Sequence, residues 1–116
     1  MLQNRQPLVS VIIPVYNAAQ TLEASVQSVL DQGYESLQII LINDGSKDDS
    51  ARVCEALQSQ DTRIEYYAQA NAGCAAARNA ALTRAKGDFY LFIDADDTMM
   101  EGALKKMLGA IYQNDL

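Results

Sequence analysis

Histidine is absent from all 116 residues. Without it the commonest general base and every Ser-His or Cys-His nucleophile are excluded, so chemistry here rests on carboxylates, Arg, Lys, Tyr or a metal ion. Cysteine is scarce as well: Cys54 and Cys74 are the only two, without paired spacing, and no histidine stands ready to complete a zinc site. Two reduced thiols fit a cytoplasmic protein. Basic residues are few, nine Lys and Arg against fifteen Asp and Glu, for a formal charge of -6, and they form no run. Nucleic acid and anionic membrane surfaces need clustered cations, so neither is an expected partner, and an anionic ligand would need local help. No stretch approaches the ~20 apolar residues of a membrane span. The apolar run Val9 to Val15 is interrupted by Ser10 and Pro14, and lacks the basic leader and small-residue cleavage site of a secretory signal.

What is present is one core's worth of apolar residues. At 49% hydrophobic content the chain can bury one core and not two, which implies a single domain over residues 8–116 behind a polar lead-in at 1–7. Four short apolar runs, Val9 to Val15, Leu37 to Ile42, Ile64 to Tyr67 and Phe89 to Ile93, start roughly one strand-plus-helix unit of about 30 residues apart. A helical pattern follows each. Leu22, Val26, Val29 and Leu30 make the first stripe, ending near Gly33; Val53 and Leu57 make the second, behind the capping candidates Asp48, Asp49 and Ser50. The third, Gly73 to Leu82, is alanine-rich and narrow enough to pack closely on a sheet, and Leu104, Met107, Leu108 and Ile111 make the fourth.

Alternating strands and helices with near-continuous apolar strands predict an α/β fold, a Rossmann-like parallel sheet with helices on both faces. Right-handed crossovers bring every strand's carboxyl end to one edge, where open α/β sheets bind ligands. Four polar clusters meet there: Tyr16 and Asn17, then Asn43 to Ser46, then Gln69 to Gly73, then Asp94 to Asp97.

The last cluster is the most demanding. Asp94, Asp96 and Asp97 place three carboxylates in four positions behind an apolar strand, where repulsion and desolvation ask for a counter-charge. A hard divalent cation, magnesium or manganese, answers that need. An Asp-rich turn capping the next helix at Thr98 or Glu101 is the plainer alternative.

Taken in order, Val9 to Asn17, Ile42 to Asp48, Asn71-Ala72-Gly73 with Ala77-Arg78-Asn79, and Gly87-Asp88-Phe89 with Phe92 to Asp97 resemble the family 2 inverting glycosyltransferases of GT-A fold. The likeness runs from about residue 8 to 110. It implies that this chain is the N-terminal, nucleotide-sugar-binding part of such a domain, cut short. The donor it implies is a nucleotide-diphosphate sugar, a UDP-sugar, and the acceptor a glycan or lipid-linked saccharide. For the cytoplasmic protein that the thiols suggest, an acceptor of that kind leaves room for a peripheral place at the inner face of the membrane in the full-length protein. Pro14, Val15, Tyr16 and Asn17 would border the base, with the Tyr16 ring as a stacking face. Asp44 would accept a hydrogen bond from uracil, and Gly45 would let the chain turn beside it; Asn43 departs from the double-aspartate form of that motif. Asn71 and Gly73 would shape the loop before the third helix, and Arg78 would reach ribose or phosphate oxygens. Asp94, Ala95 and Asp96 match the DxD motif, with Asp94 near ribose and Asp96 on Mn2+ or Mg2+. The general base of the family lies well downstream of this motif, beyond Leu116, so the fragment is expected to bind donor without completing transfer.

Two other readings share these residues. Leu91 to Thr98 also fits the DxDxT signature of haloacid-dehalogenase-like phosphatases, with Asp94 as nucleophile and Asp96 as acid/base. A non-catalytic nucleotide-sugar-binding module is the other.

Overall fold

A computed structural model describes residues 6–114. Most of the polar lead-in, residues 1–5, and the last two residues lie outside the described part. Strands and helices alternate: β1 (Val9–Val15), α1 (Leu22–Leu30), β2 (Leu37–Asp44), α2 (Ser50–Gln60), β3 (Ile64–Gln69), α3 (Cys74–Leu82), β4 (Phe89–Phe92) and α4 (Ala103–Asn114). The four strands form one parallel sheet in the order β3-β2-β1-β4. The crossover from β3 to β4 carries the chain past both central strands, so β1 and β2 are covered on both sides.

Period-two alternation sorts the central strands between two layers. Val9, Val11, Ile13 and Val15 of β1 join Ile39 and Leu41 of β2 beneath Leu22, Val26 and Val29 of α1, Cys54 and Leu57 of α2, and Leu104 and Leu108 of α4. Their neighbours Ile12, Ile40 and Ile42 face the other way, onto Ala77 and Ala81 of α3. Alanine on that face lets the helix lie close to the sheet, as its composition predicts. At the amino end of the sheet the residues under α3 are polar: Ser10 Oγ donates to Gln38 Oε1 at 2.7 Å and accepts the Gly87 N–H at 2.9 Å. A Cβ on Gly87 would stand 2.6 Å from that Ser10 oxygen, which leaves room there for glycine alone.

Several boundaries differ from the sequence reading. β2 continues two residues beyond its apolar run and β3 two beyond its own, because Asn43 pairs with Val15 and Ala68, and Asp44 with Gln69. β4 stops at Phe92, one residue early, although the Ile93 N–H still bonds to Ile12 at 3.0 Å. Near-continuous burial holds for β1 and β2 only. The outer strands β3 and β4 are partly exposed because each has a strand on one side alone. α4 starts at Ala103, so neither Thr98 nor Glu101 caps it; Gly102, at φ 76°, makes the turn into the helix. Among the described residues no helix is long and apolar enough to cross a membrane.

Candidate functional site

A cleft of about 950 Å³ opens at the carboxyl ends of the strands. Pro14, Val15, Tyr16, Asn17, Asp44, Asn71, Gly73, Asp94, Ala95 and Asp96 all line it, so four loops distant in sequence converge as their motifs imply. Two of the expected residues do not line it. Gly45 packs against the Asn71 backbone instead, and Arg78 borders a neighbouring hollow of about 310 Å³ together with Phe92 and Asp97.

Each loop is held for a physical reason. Asn17 adopts φ 50°, a left-handed conformation that Asn tolerates better than most residues. Its N–H donates to Ser46 Oγ at 3.0 Å and its Oδ1 accepts the Lys47 N–H at 2.8 Å, which ties the loop after β1 to the loop after β2. Tyr16, just before it, is 48% exposed and offers its ring to the cleft.

Asp44 is buried at 3% exposure. Its Oδ1 accepts from Gln69 Nε2 and the Ala72 N–H, both at 2.9 Å, and its Oδ2 accepts from the Gly73 N–H at 2.9 Å and Asn71 Nδ2 at 3.4 Å. Burial alone would raise this carboxyl, but the bonds from Gln69, Ala72 and Gly73 outweigh it and hold it below the ordinary value. Gly45 follows at φ 72°, and a Cβ there would stand 2.7 Å from the backbone nitrogen of Asn71. The close approach of the two loops therefore requires glycine.

Asp48 and Asp49 also line the cleft, although their spacing marked them only as helix caps. Asp48 Oδ1 accepts both the N–H and the hydroxyl of Ser50, its Oδ2 accepts the Ala19 N–H, and Ser50 Oγ accepts the Ala18 N–H. The Ser50 hydroxyl lowers the Asp48 carboxyl most. Cys74 is a further lining residue missed in the sequence, where a lone thiol carries no signal of position.

Asp94, Asp96 and Asp97 each bring a carboxylate oxygen within 4.8 Å of the others. All three are exposed, so the desolvation expected behind an apolar strand is not what they experience. Hard oxygen donors at this separation fit a magnesium or manganese ion. Arg78 is their nearest cation, 4.0 Å from Asp94, with its guanidinium 5.8 Å from the centre of the Phe92 ring. Among the described residues the cleft itself is lined by five aspartates, 44, 48, 49, 94 and 96, and by no Lys or Arg.

The glycosyl transferase family 2 model matches residues 10–116. An uncharacterized glycosyltransferase of Haemophilus influenzae is 40% identical over 111 residues, covering 95% of this chain and 44% of that protein. The putative teichuronic acid biosynthesis glycosyltransferase TuaG of Bacillus subtilis is 42% identical, over 90% of this chain and 42% of its own length. A GalNAc(5)-diNAcBac-PP-undecaprenol beta-1,3-glucosyltransferase of Campylobacter jejuni is 36% identical, over 88% and 34%. The chain thus spans less than half the length of these relatives. Among solved structures, S. aureus TarS 1-349 in complex with UDP aligns with TM-score 0.83 at 25% identity, over 91% of this chain and 32% of that 1-349 chain. A Pyrobaculum calidifontis mannosyltransferase in complex with GDP-Man and Mn2+ shares the fold, with TM-score 0.78 at 24% identity, over 84% and 30%. A glycosyltransferase match over nearly the whole chain sets aside the phosphatase reading of Asp94. With the four motifs converging on one rim of a GT-A type sheet, the chain belongs to glycosyl transferase family 2.

Proposed function

We propose that this chain binds the donor of an inverting, metal-dependent sugar transfer, a UDP-sugar, destined for a glycan or lipid-linked acceptor. One observation carries the metal dependence: a cleft lined by five aspartates and no cation would repel a diphosphate unless a cation enters with it. TarS, a structural relative at 25–26% identity, has been crystallised with UDP and with UDP-GlcNAc, which supports uracil as the base.

The residues divide the task by chemistry. Tyr16 gives the base a stacking face. At Asp44 the long 3.4 Å contact from Asn71 is the one that a uracil imide N–H would replace. The first-turn backbone amides of α3, which no side chain caps, favour an anion nearby, while the Gly73 amide is already given to Asp44. Arg78, held loosely at 4.0 Å from Asp94, can turn its planar fork to ribose or phosphate oxygens. Asp94 faces the ribose, and Asp96 with Asp94 would hold Mn2+ or Mg2+. Such an ion supplies Lewis-acid stabilisation of the departing diphosphate.

The general base lies, on this reading, outside residues 1–116. The other cleft carboxylates stand on the β2–α2 loop, with Asp48 already committed to Ser50 and Ala19. Purified chain mixed with a UDP-sugar and a panel of saccharide acceptors is expected to bind donor and form no product. Transfer to a defined acceptor would contradict the division. Hydrolysis of phosphate esters that is abolished by Asp94→Asn would restore the phosphatase reading.

A further inference from the structure

Behind the acidic loop, outside the cleft, lies a second set of polar side chains. Ser25, Ser28 and Gln32 follow one another at spacings of three and four along α1 and the turn after it, which puts them on one side of the helix. Ser25 is fully buried and Gln32 is 5% exposed. Polar groups in such places are costly unless they are bonded, and these four contacts all reach one segment. Ser25 Oγ donates to the Asp94 carbonyl at 3.3 Å, and Ser28 Oγ accepts the Met99 N–H at 2.9 Å. Gln32 Nε2 donates to the Met100 carbonyl at 2.9 Å, while its Oε1 accepts the Leu104 N–H at 3.0 Å.

The segment so held runs from the end of β4 to the start of α4. Residues 93–102 contain turns but no strand or helix, so no ladder fixes their course. Their own backbone supplies the Asp97 N–H to Asp94 carbonyl bond at 3.0 Å and little else near the carboxylates. We infer that Ser28 and Gln32 are positioning residues for the metal site: acting through the backbone of residues 99–104, they set where Asp94, Asp96 and Asp97 stand. The inference rests on the donor-site reading above. Neither residue touches the cleft, so neither contacts the nucleotide.

Gln38 provides a matched control. It too is 5% exposed, and it makes four bonds, to Ser10, Glu65, Arg84 and Lys86, against three for Gln32, but it lies at the amino end of β2, away from the acidic loop. Mn2+ affinity in the presence of UDP, read by electron paramagnetic resonance, and amide exchange over residues 94–104 should be measured for wild type, Gln32→Met, Ser28→Ala and Gln38→Met. Gln32→Met is expected to weaken Mn2+ binding roughly ten-fold, as removal of an outer support of a metal site commonly does, and Ser28→Ala by less. The Met99 and Leu104 amides should exchange faster in those two variants alone. Gln38→Met should lower the melting temperature and leave Mn2+ affinity and these amides as in wild type. Ser28→Ala carries the test if Gln32→Met does not fold. Unchanged Mn2+ affinity in both Gln32→Met and Ser28→Ala, or an equal loss in all three variants, would overturn the inference while leaving the donor site standing. Wild-type protein that does not bind Mn2+ with UDP would overturn both.

Discussion

Asp44 shows how one side chain can serve both the fold and the site. Four donors from residues 69–73 meet its buried carboxylate, and they keep that loop against the end of β2. An amide in its place turns one accepting atom into a donor that faces N–H groups. Asp44→Asn should therefore cost about 2–3 kcal/mol, measured by urea unfolding at neutral pH. The sign of its pH dependence follows from the lowered carboxyl. Its contribution is complete above the ordinary value of 3.8 and is lost as the pH falls below that toward the folded value, so the gap between wild type and Asp44→Asn should narrow under acid. The two thiols differ just as sharply. Burial, reinforced by the charges of Glu55 and Asp48, pushes the Cys54 thiol up to about 12, whereas Cys74 is exposed at the start of α3. Alkylation of the native chain should label Cys74 quickly and reach Cys54 only on unfolding; rapid loss of both thiols would contradict the burial of Cys54. At this scale the sequence was legible where residue type announces chemistry, as at Tyr16, Asp44 and the 94–97 cluster. It was silent on Ser28 and Gln32, because a Ser on a helix or a Gln in the turn after it looks the same whether it meets water or a distant backbone.

Among the elements, α3 depends most on size. Ala77 and Ala81 are fully buried against Ile12, Ile40 and Ile42, and Ala77 also borders the cleft. Ala77→Leu has no free volume to fill on the sheet side, so it should destabilise by about 1–3 kcal/mol and lift the start of α3 from the rim. Thermal unfolding together with nucleotide affinity checks this, and a variant as stable as wild type would contradict the close packing. The elements themselves were legible from periodicity, since apolar runs and helical stripes alternate without a break. Their ends were less so. β2 and β3 extend into Asn43-Asp44 and Ala68-Gln69 because backbone pairing continues past the large apolar side chains, and α4 begins late because Gly102 rather than an acidic cap turns the chain.

For the whole molecule the governing fact is charge. A chain of net charge -6 gathers five aspartates around the cleft at its strand ends and keeps Arg78, 4.0 Å from Asp94, in the hollow beside it. On the proposed reading, a diphosphate entering such a cleft meets repulsion from these aspartates, and a divalent cation held at the 94–97 cluster would offset it. The fold explains how the cluster comes to face Tyr16 and Asp44: parallel strands end on one rim, and the crossover to β4 lays the acidic loop beside the end of β1. On the proposed reading, UDP binding requires metal held by Asp96. Calorimetry of UDP with and without Mn2+, on wild type and on Asp96→Ala, tests it most directly. Mn2+ should strengthen UDP binding to wild type by at least about ten-fold and leave Asp96→Ala unchanged; UDP affinity indifferent to both the metal and the substitution would contradict the account.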